Sequence, residues 1–198
     1  MAALFSLTPQ DITTQLVDPQ LITPPWPTPA RHTLRKAAVL IPFQLIQGEW
    51  HLLFTRRTET VQDHKSQVSF PGGSTDPMDQ DEQATALREA HEEIGLRPED
   101  VVLLGKMGQI STMTGFLITP VIASIPTPYI FIPSPHEVSR IFTIPLNWLS
   151  DPSNHYEQHR ILPDGSTSPV IFFNKYDGEL LWGITAFLTL VLLDLLQK

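Results

Sequence analysis

The segment from Asp79 to Gly95 constrains this chain more than any other, because it reads as a helix with defined ends and a single concentrated patch of charge. At about 100° per residue, Ala84, Leu87, His91 and Ile94 share one face, and Glu82, Glu89, Glu92 and Glu93 share the opposite one. Asp79 and Glu82 have the spacing of a capping box, and Gly95 followed by Pro98 supplies a stop, so a helix over Asp81–Ile94 is predicted. Nine of the chain's 21 acidic residues fall between Asp76 and Asp100, against Arg88 and Arg97. Glu89 with Glu92 and Glu93 form i,i+3 and i,i+4 pairs about 5–6 Å apart. That spacing suits either a divalent cation or a solvated acidic face relieved by the two arginines.

Directly upstream stands Phe70-Pro71-Gly72-Gly73, where paired glycines let backbone approach a ligand and offer carbonyl oxygens to a hard cation. The chain has no cysteine, which excludes disulfides, thiolate metal sites and cysteine nucleophiles. Oxygen ligands alone favour Mg²⁺ or Mn²⁺, and such sites are completed by water and substrate phosphates. A phosphate ester or anhydride is therefore the expected substrate type. A net charge of −8 argues against nucleic acid or an anionic membrane as partner, since both require a basic footprint.

Around this segment, Ala37–Ile46 and Trp50–Thr55 read as strands joined by a turn at Gln47-Gly48-Glu49. Further strands are predicted at Val101–Met107, Leu117–Ile125 and Val170–Phe173, with a helical turn at Leu146–Ser150. Strands and helices without regular βαβ alternation favour a mixed sheet with helices on its faces. Residues 1–34, with Pro24, Pro25, Pro27 and Pro29, form a proline-rich extension or wrapping arm packed through Trp26, and the globular domain covers 35–198. An apolar helix at about 180–197 is too short to span a membrane comfortably, and packs either in the core or in a homodimer contact. Met1–Leu7 lacks the positive charge of a signal peptide, so a cytoplasmic location is expected.

The run Arg88-Glu89-Ala90-His91-Glu92-Glu93-Ile94-Gly95-Leu96 resembles the second half of the signature of the Nudix hydrolase family, with the whole box at about 73–96. In the first half, Gln80 stands where the signature has Glu and Ser74 where it has Gly, with Asp76 and Asp79 as candidate substitutes. Phe70–Gly73 with Leu53, Thr55 and Arg57, Thr114-Gly115-Phe116 and Trp182–Ala186 resemble the coenzyme A pyrophosphatase branch, although Gln62 and Ser66 replace its Arg and Gly. The resemblance implies an α/β/α sandwich with a mixed β-sheet. It also implies Mg²⁺- or Mn²⁺-dependent hydrolysis of a nucleoside diphosphate linked to another moiety, coenzyme A or a derivative first among them. Metal would sit on Glu89, Glu92 and Glu93, oriented by Arg88. Arg57, Phe70, Gly72 and Gly73 would bind substrate, with Arg56 and Lys65 as secondary cations and Glu137 as a general base from a closing loop. The alternatives are a Nudix hydrolase of ADP-ribose, dinucleotides or nucleoside triphosphates, and a catalytically silent nucleotide-binding protein. The run from His91 to Gly95 lacks the second histidine of a zinc protease, and His91, on the apolar face, reads as a packed side chain. His155 and His159 read as solvent-facing loop residues.

Overall fold

A computed structural model describes residues 7–16, 21–29, 33–59, 66–162 and 165–197; residues 1–6, Gln62 and Lys65, which carry some of the expectations above, lie outside them. In chain order the elements are α1 (Pro9–Gln15), β1 (Arg35–Ile46), β2 (Glu49–Arg57), β3 (Val68–Ser69), β4 (Gly72–Ser74), α2 (Glu82–Ile94), β5 (Val102–Lys106), β6 (Ile110–Ser111), β7 (Phe116–Ser124), β8 (Val138–Pro145), α3 (Leu146–Ser150), β9 (His155–Ile161), β10 (Thr167–Phe173) and α4 (Gly183–Leu196). The β1–β2 hairpin closes with Ile46 opposite Glu49. Gln47 (φ 52°) and Gly48 (φ 83°) both have positive φ, the pattern of a tight turn that follows strand twist. β1 then pairs in parallel with β7, in antiparallel with β4, and β2 pairs with β8 and β3, giving a mixed eight-stranded sheet. β9 and β10 form a separate hairpin.

Strand alternation divides the core in two. Ala38, Leu40, Leu53, Val121 and Ala123 face α2, meeting Ala86, Ala90 and Ile94. Ile41, Phe43, Leu52, Phe54 and Ile122 face the other way, onto α4 and α1. The result is the expected α/β/α sandwich. α4 buries Leu188, Leu192, Leu193 and Leu196 in the second core, so of its two readings the structure shows core packing. The proline-rich arm wraps that core. Ile12 of α1 is wholly buried, the Trp50 Nε1–H donates to Leu7 O at 2.7 Å, and Trp26 donates to Ser111 O and meets Phe187 edge-on. No helix among the described residues is long and apolar enough to cross a membrane.

Several expectations are corrected. Asp81, not Asp79, caps α2, accepting from Ala84 N–H at 2.8 Å. The buried stripe of α2 is Thr85, Ala86, Ala90, Glu93 and Ile94, rotated from the expected face, so His91 is solvent-exposed and Glu93 is interior. His155 and His159 lie on strand β9. Phe70 is 3% exposed and stacks on Phe54 with ring centroids 4.8 Å apart; it is a core ring and presents no face to a ligand.

Candidate active site

β4 runs across the middle of α2, and this contact builds the site. Gly72 lies so close to β1 that a Cβ there would meet Ala38 O at 2.4 Å and Val39 Cα at 2.6 Å, so only glycine allows the pairing. At Gly73 a Cβ would fall 2.5 Å from a Glu89 carboxylate oxygen. The first glycine thus brings the strand in, and the second makes room for a carboxylate. The paired glycines act on the carboxylates from behind, the Gly72 backbone amide standing near enough to Glu93 to favour its charged form slightly.

Arg88 is the hub. Its Nε and Nη2 grip Asp79 through both oxygens at 3.0 Å, its Nη1 donates to Glu89 at 2.8 Å and Glu92 at 3.3 Å, and Nη2 also donates to Ser74 O at 3.0 Å. Asp79 also accepts from Thr85 Oγ and from Asp76 N–H. Its carboxyl is held far below the usual carboxylate range, chiefly by the Arg88 hydrogen bonds. Asp79 is therefore committed to Arg88 through both oxygens, and Asp76 Oδ1 accepts from Met78 N–H. Sequence reading missed this anchoring role, although an acid one residue before Gln80 and a threonine on the next turn were its visible signals.

Glu93 is 3% exposed, with Arg57 Nη1 at 3.5 Å from its Oε1 and no partner for its Oε2. Burial pushes its carboxyl up to about 8, against the pull of Arg57, and the neighbouring Glu137 and Glu89 carboxylates push the same way. Burial also raises Glu89, partly offset by Arg88. Glu137 stands close enough to repel both because its loop is pinned: Thr58 N–H donates to Glu137 O, Thr58 Oγ to His136 O, and Ser134 N–H to Glu93 O. Glu92 is the most exposed of the three helix carboxylates, at 57%. Arg56 is drawn away to Glu179, 3.6 Å off. Ser66, where the branch pattern has glycine, adopts φ 57°, so the left-handed turn that glycine would favour is kept.

Among the described residues no three carboxylate or imidazole groups close into a ready-made metal cage. The donor set nevertheless fits a hard cation. Glu93 Oε2 is a buried acceptor without a partner, Glu89 sits in a cradle that a Cβ would fill, and the cluster holds excess negative charge. Arg57 Nε is likewise a buried donor without a partner.

The chain that carries this acid cluster matches the model of the NUDIX domain over residues 34–165. The chain belongs to the Nudix family. Uncharacterized Nudix hydrolase NudL from Photorhabdus laumondii is 38% identical over a stretch covering 84% of this chain and 88% of that protein. The NudL protein of Yersinia pestis is 37% identical over 78% of this chain and 76% of its own length. Among solved structures, the Nudix hydrolase RenU of M. smegmatis shares the fold, with a TM-score of 0.50 at 21% identity, covering 59% of this chain and 74% of that one. Membership makes this Nudix chain a pyrophosphohydrolase for nucleoside diphosphate-linked substrates, in a family that generally uses divalent metals. The Nudix helix is α2, and its Arg88, Glu89, Glu92 and Glu93 are brought together around Gly72 and Gly73.

Proposed function

We propose that the chain hydrolyses the pyrophosphate bond of coenzyme A or a derivative, giving phosphopantetheine and adenosine 3′,5′-bisphosphate portions, with Mg²⁺ or Mn²⁺ held by Glu89, Glu92 and Glu93. The observation that carries the chemistry is Glu93: a buried carboxylate with one oxygen unpartnered, beside Arg57, whose Nε is also unpartnered. When bound, a divalent ion would supply charge neutralisation at the diphosphate and make an attacking water easier to deprotonate. Arg57 would donate to a phosphate oxygen through its unpartnered Nε–H. Arg88 fixes the direction of Glu89 and Glu92 without touching substrate. Glu137, on its pinned loop, is the general base, a carboxylate next to the cluster yet tied to neither arginine by any ion pair among the described residues. Coenzyme A is favoured by Leu53, Thr55, Arg57, Phe70–Gly73 and Trp182–Ala186, which resemble its pyrophosphatase branch, while Gln62 and Ser66 depart from it.

A substrate panel with Mg²⁺ and Mn²⁺ tests this, comparing coenzyme A, acyl derivatives, ADP-ribose and NADH by product analysis. Adenosine 3′,5′-bisphosphate released from coenzyme A in preference to products from the others is expected. Faster cleavage of ADP-ribose or NADH would overturn the substrate, and ligand uptake without any product would make the chain a binding protein.

The Gly73 cradle gives a sharper test of geometry. Gly73→Ala places a methyl against the Glu89 carboxylate, which is the mobile end of a side chain and can swing aside. Stability should change by less than about 1 kcal/mol. Activity should fall by one to two orders of magnitude, because a displacement of about 1 Å in a catalytic group costs up to about 100-fold. Kinetics and thermal unfolding of the same preparation check both halves.

A further inference from the structure

The cavity of about 690 Å³ on the face of the sheet away from α2 has no role in the chemistry above. Its size falls in the range of about 300–1,000 Å³ that takes a small-molecule ligand. Its walls are mainly apolar, built by Trp26, Phe116, Ile118, Val170, Ile171 and Trp182. Polar side chains in the lining are Gln67, Thr112, Thr114, Arg160, Ser168 and Thr185. Ser168 is 2% exposed, and its Oγ is buried with no hydrogen-bond partner. Gly183, Ile184 and Thr185, the first turn of the 14-residue α4, line the cavity, and no side chain caps that turn. A helix start presents backbone N–H donors and partial positive charge. Among the described residues Arg160 is the only charged one lining the cavity, while Thr112 and Thr114 hydroxyls satisfy each other at 3.0 Å. Such a lining suits a long apolar chain that ends in acceptor oxygen.

We propose that this cavity binds an acyl chain, with its oxygen end against Ser168 and the first turn of α4. Gln67, in the cavity wall, accepts at its carbonyl from the backbone N–H of Arg57 at 3.0 Å, and the Arg57 guanidinium lies beside Glu93. An acyl group carried by the substrate of the proposed hydrolysis and a free fatty carboxylate both bring an apolar chain that ends in acceptor oxygen.

The test uses the full chain in EDTA, so that it does not depend on turnover. A brominated dodecanoate should quench tryptophan fluorescence saturably, because Trp26 and Trp182 stand in the wall, and unlabelled dodecanoate should relieve the quenching. Competition by the series from hexanoate to dodecanoate should strengthen by about two- to fourfold per added methylene. Ser168→Ala should weaken dodecanoate by about fivefold, and Val170→Phe, which fills the cavity, by more than tenfold. Should either variant fail to fold, the chain-length series on the unaltered protein still decides. No saturable quenching, or affinity independent of chain length, overturns the proposal. Turnover with Mg²⁺ then assigns the source. A kcat/KM at least tenfold higher for dodecanoyl coenzyme A than for coenzyme A, inhibited by dodecanoate, means that the chain belongs to the substrate; equal values with dodecanoate bound mean a separate lipid ligand. Coenzyme A cleavage without dodecanoate binding removes the acyl site and leaves the hydrolase reading intact, whereas dodecanoate binding without cleavage of any panel member does the reverse.

Discussion

Glu93→Gln is expected to lower divalent-ion-dependent turnover by about three orders of magnitude while leaving the protein folded. The amide keeps the shape of the side chain and its place against Gly72, and removes the charge that the unpartnered Oε2 offers. Losing about 4 kcal/mol of transition-state charge stabilisation corresponds to that factor. Stability should move in the opposite direction. In the folded protein the Glu93 carboxyl keeps its proton up to about pH 8, whereas in the unfolded chain it ionises near 4.5. Between those two values the native state binds more protons than the unfolded one, so rising pH costs metal-free stability, by at most about 1.4 kcal/mol per pH unit. Below 4.5 both states are protonated and above 8 both are ionised, and the slope from this group vanishes. Thermal unfolding in EDTA from pH 5 to 9 should show the decline in the native protein and a flatter profile in Glu93→Gln, with the variant at least as stable at pH 8. A near-normal metal-dependent rate in the variant would contradict the role given to Glu93.

Asp79→Ala should damage both stability and catalysis, because Asp79 anchors Arg88 through both carboxylate oxygens. The side chain accepts from Arg88 twice, from Thr85 and from Asp76 N–H, and is 5% exposed. Breaking a fully buried ion pair costs about 3–5 kcal/mol, and since Arg88 is 30% exposed the cost here is about 2 kcal/mol. In a chain of this size that lowers Tm by about 4–8 °C. The depressed Asp79 carboxyl contributes its stability fully at pH values above the ordinary carboxylate range and loses it only as pH falls through its strongly lowered folded value. The difference between the two proteins should therefore be constant from pH 5 to 8 and shrink in strong acid. With Arg88 loosened, Glu89 and Glu92 lose their common anchor, and kcat should fall by about two to three orders of magnitude with a smaller change in KM. A stability loss with unchanged kcat would mean that Asp79 only holds the fold.

Much of this architecture was legible in the sequence because local signals and tertiary packing agree. The Gln47-Gly48 turn needs positive φ at both positions, and the alternation of Leu52, Leu53 and Phe54 places each ring or branch on the face it occupies. The end of α2 follows from Gly95, which takes a left-handed conformation. Other features rest on distant partners. Glu93 reads as an exposed acid by helical period, and its burial depends on Gly72 and Arg57, which only the β4 and β2 placement brings to it. β8 was missed because Val138–Pro145 begins with polar Ser139 and Arg140 and ends in proline, and it is a strand through its pairing with β2. Phe70 beside two glycines resembles a ligand-facing ring, but it is buried and stacks on Phe54, a partner that only the pairing of β2 with β3 brings beside it. Arg88, Glu89 and Glu92 needed no such correction, since their spacing on one helix already fixes their proximity.

The most direct measurement is calorimetric titration of the full chain with Mn²⁺ at pH 7, with methylenediphosphonate present, in two buffers of different ionisation enthalpy. Saturable uptake with release of about one proton per ion is expected, because a cation must displace the proton that burial holds on Glu93, and both uptake and release should be absent in Glu93→Gln. No saturable uptake in the native protein, or uptake that the substitution leaves unchanged, would contradict the assignment of the α2 carboxylates as the metal site.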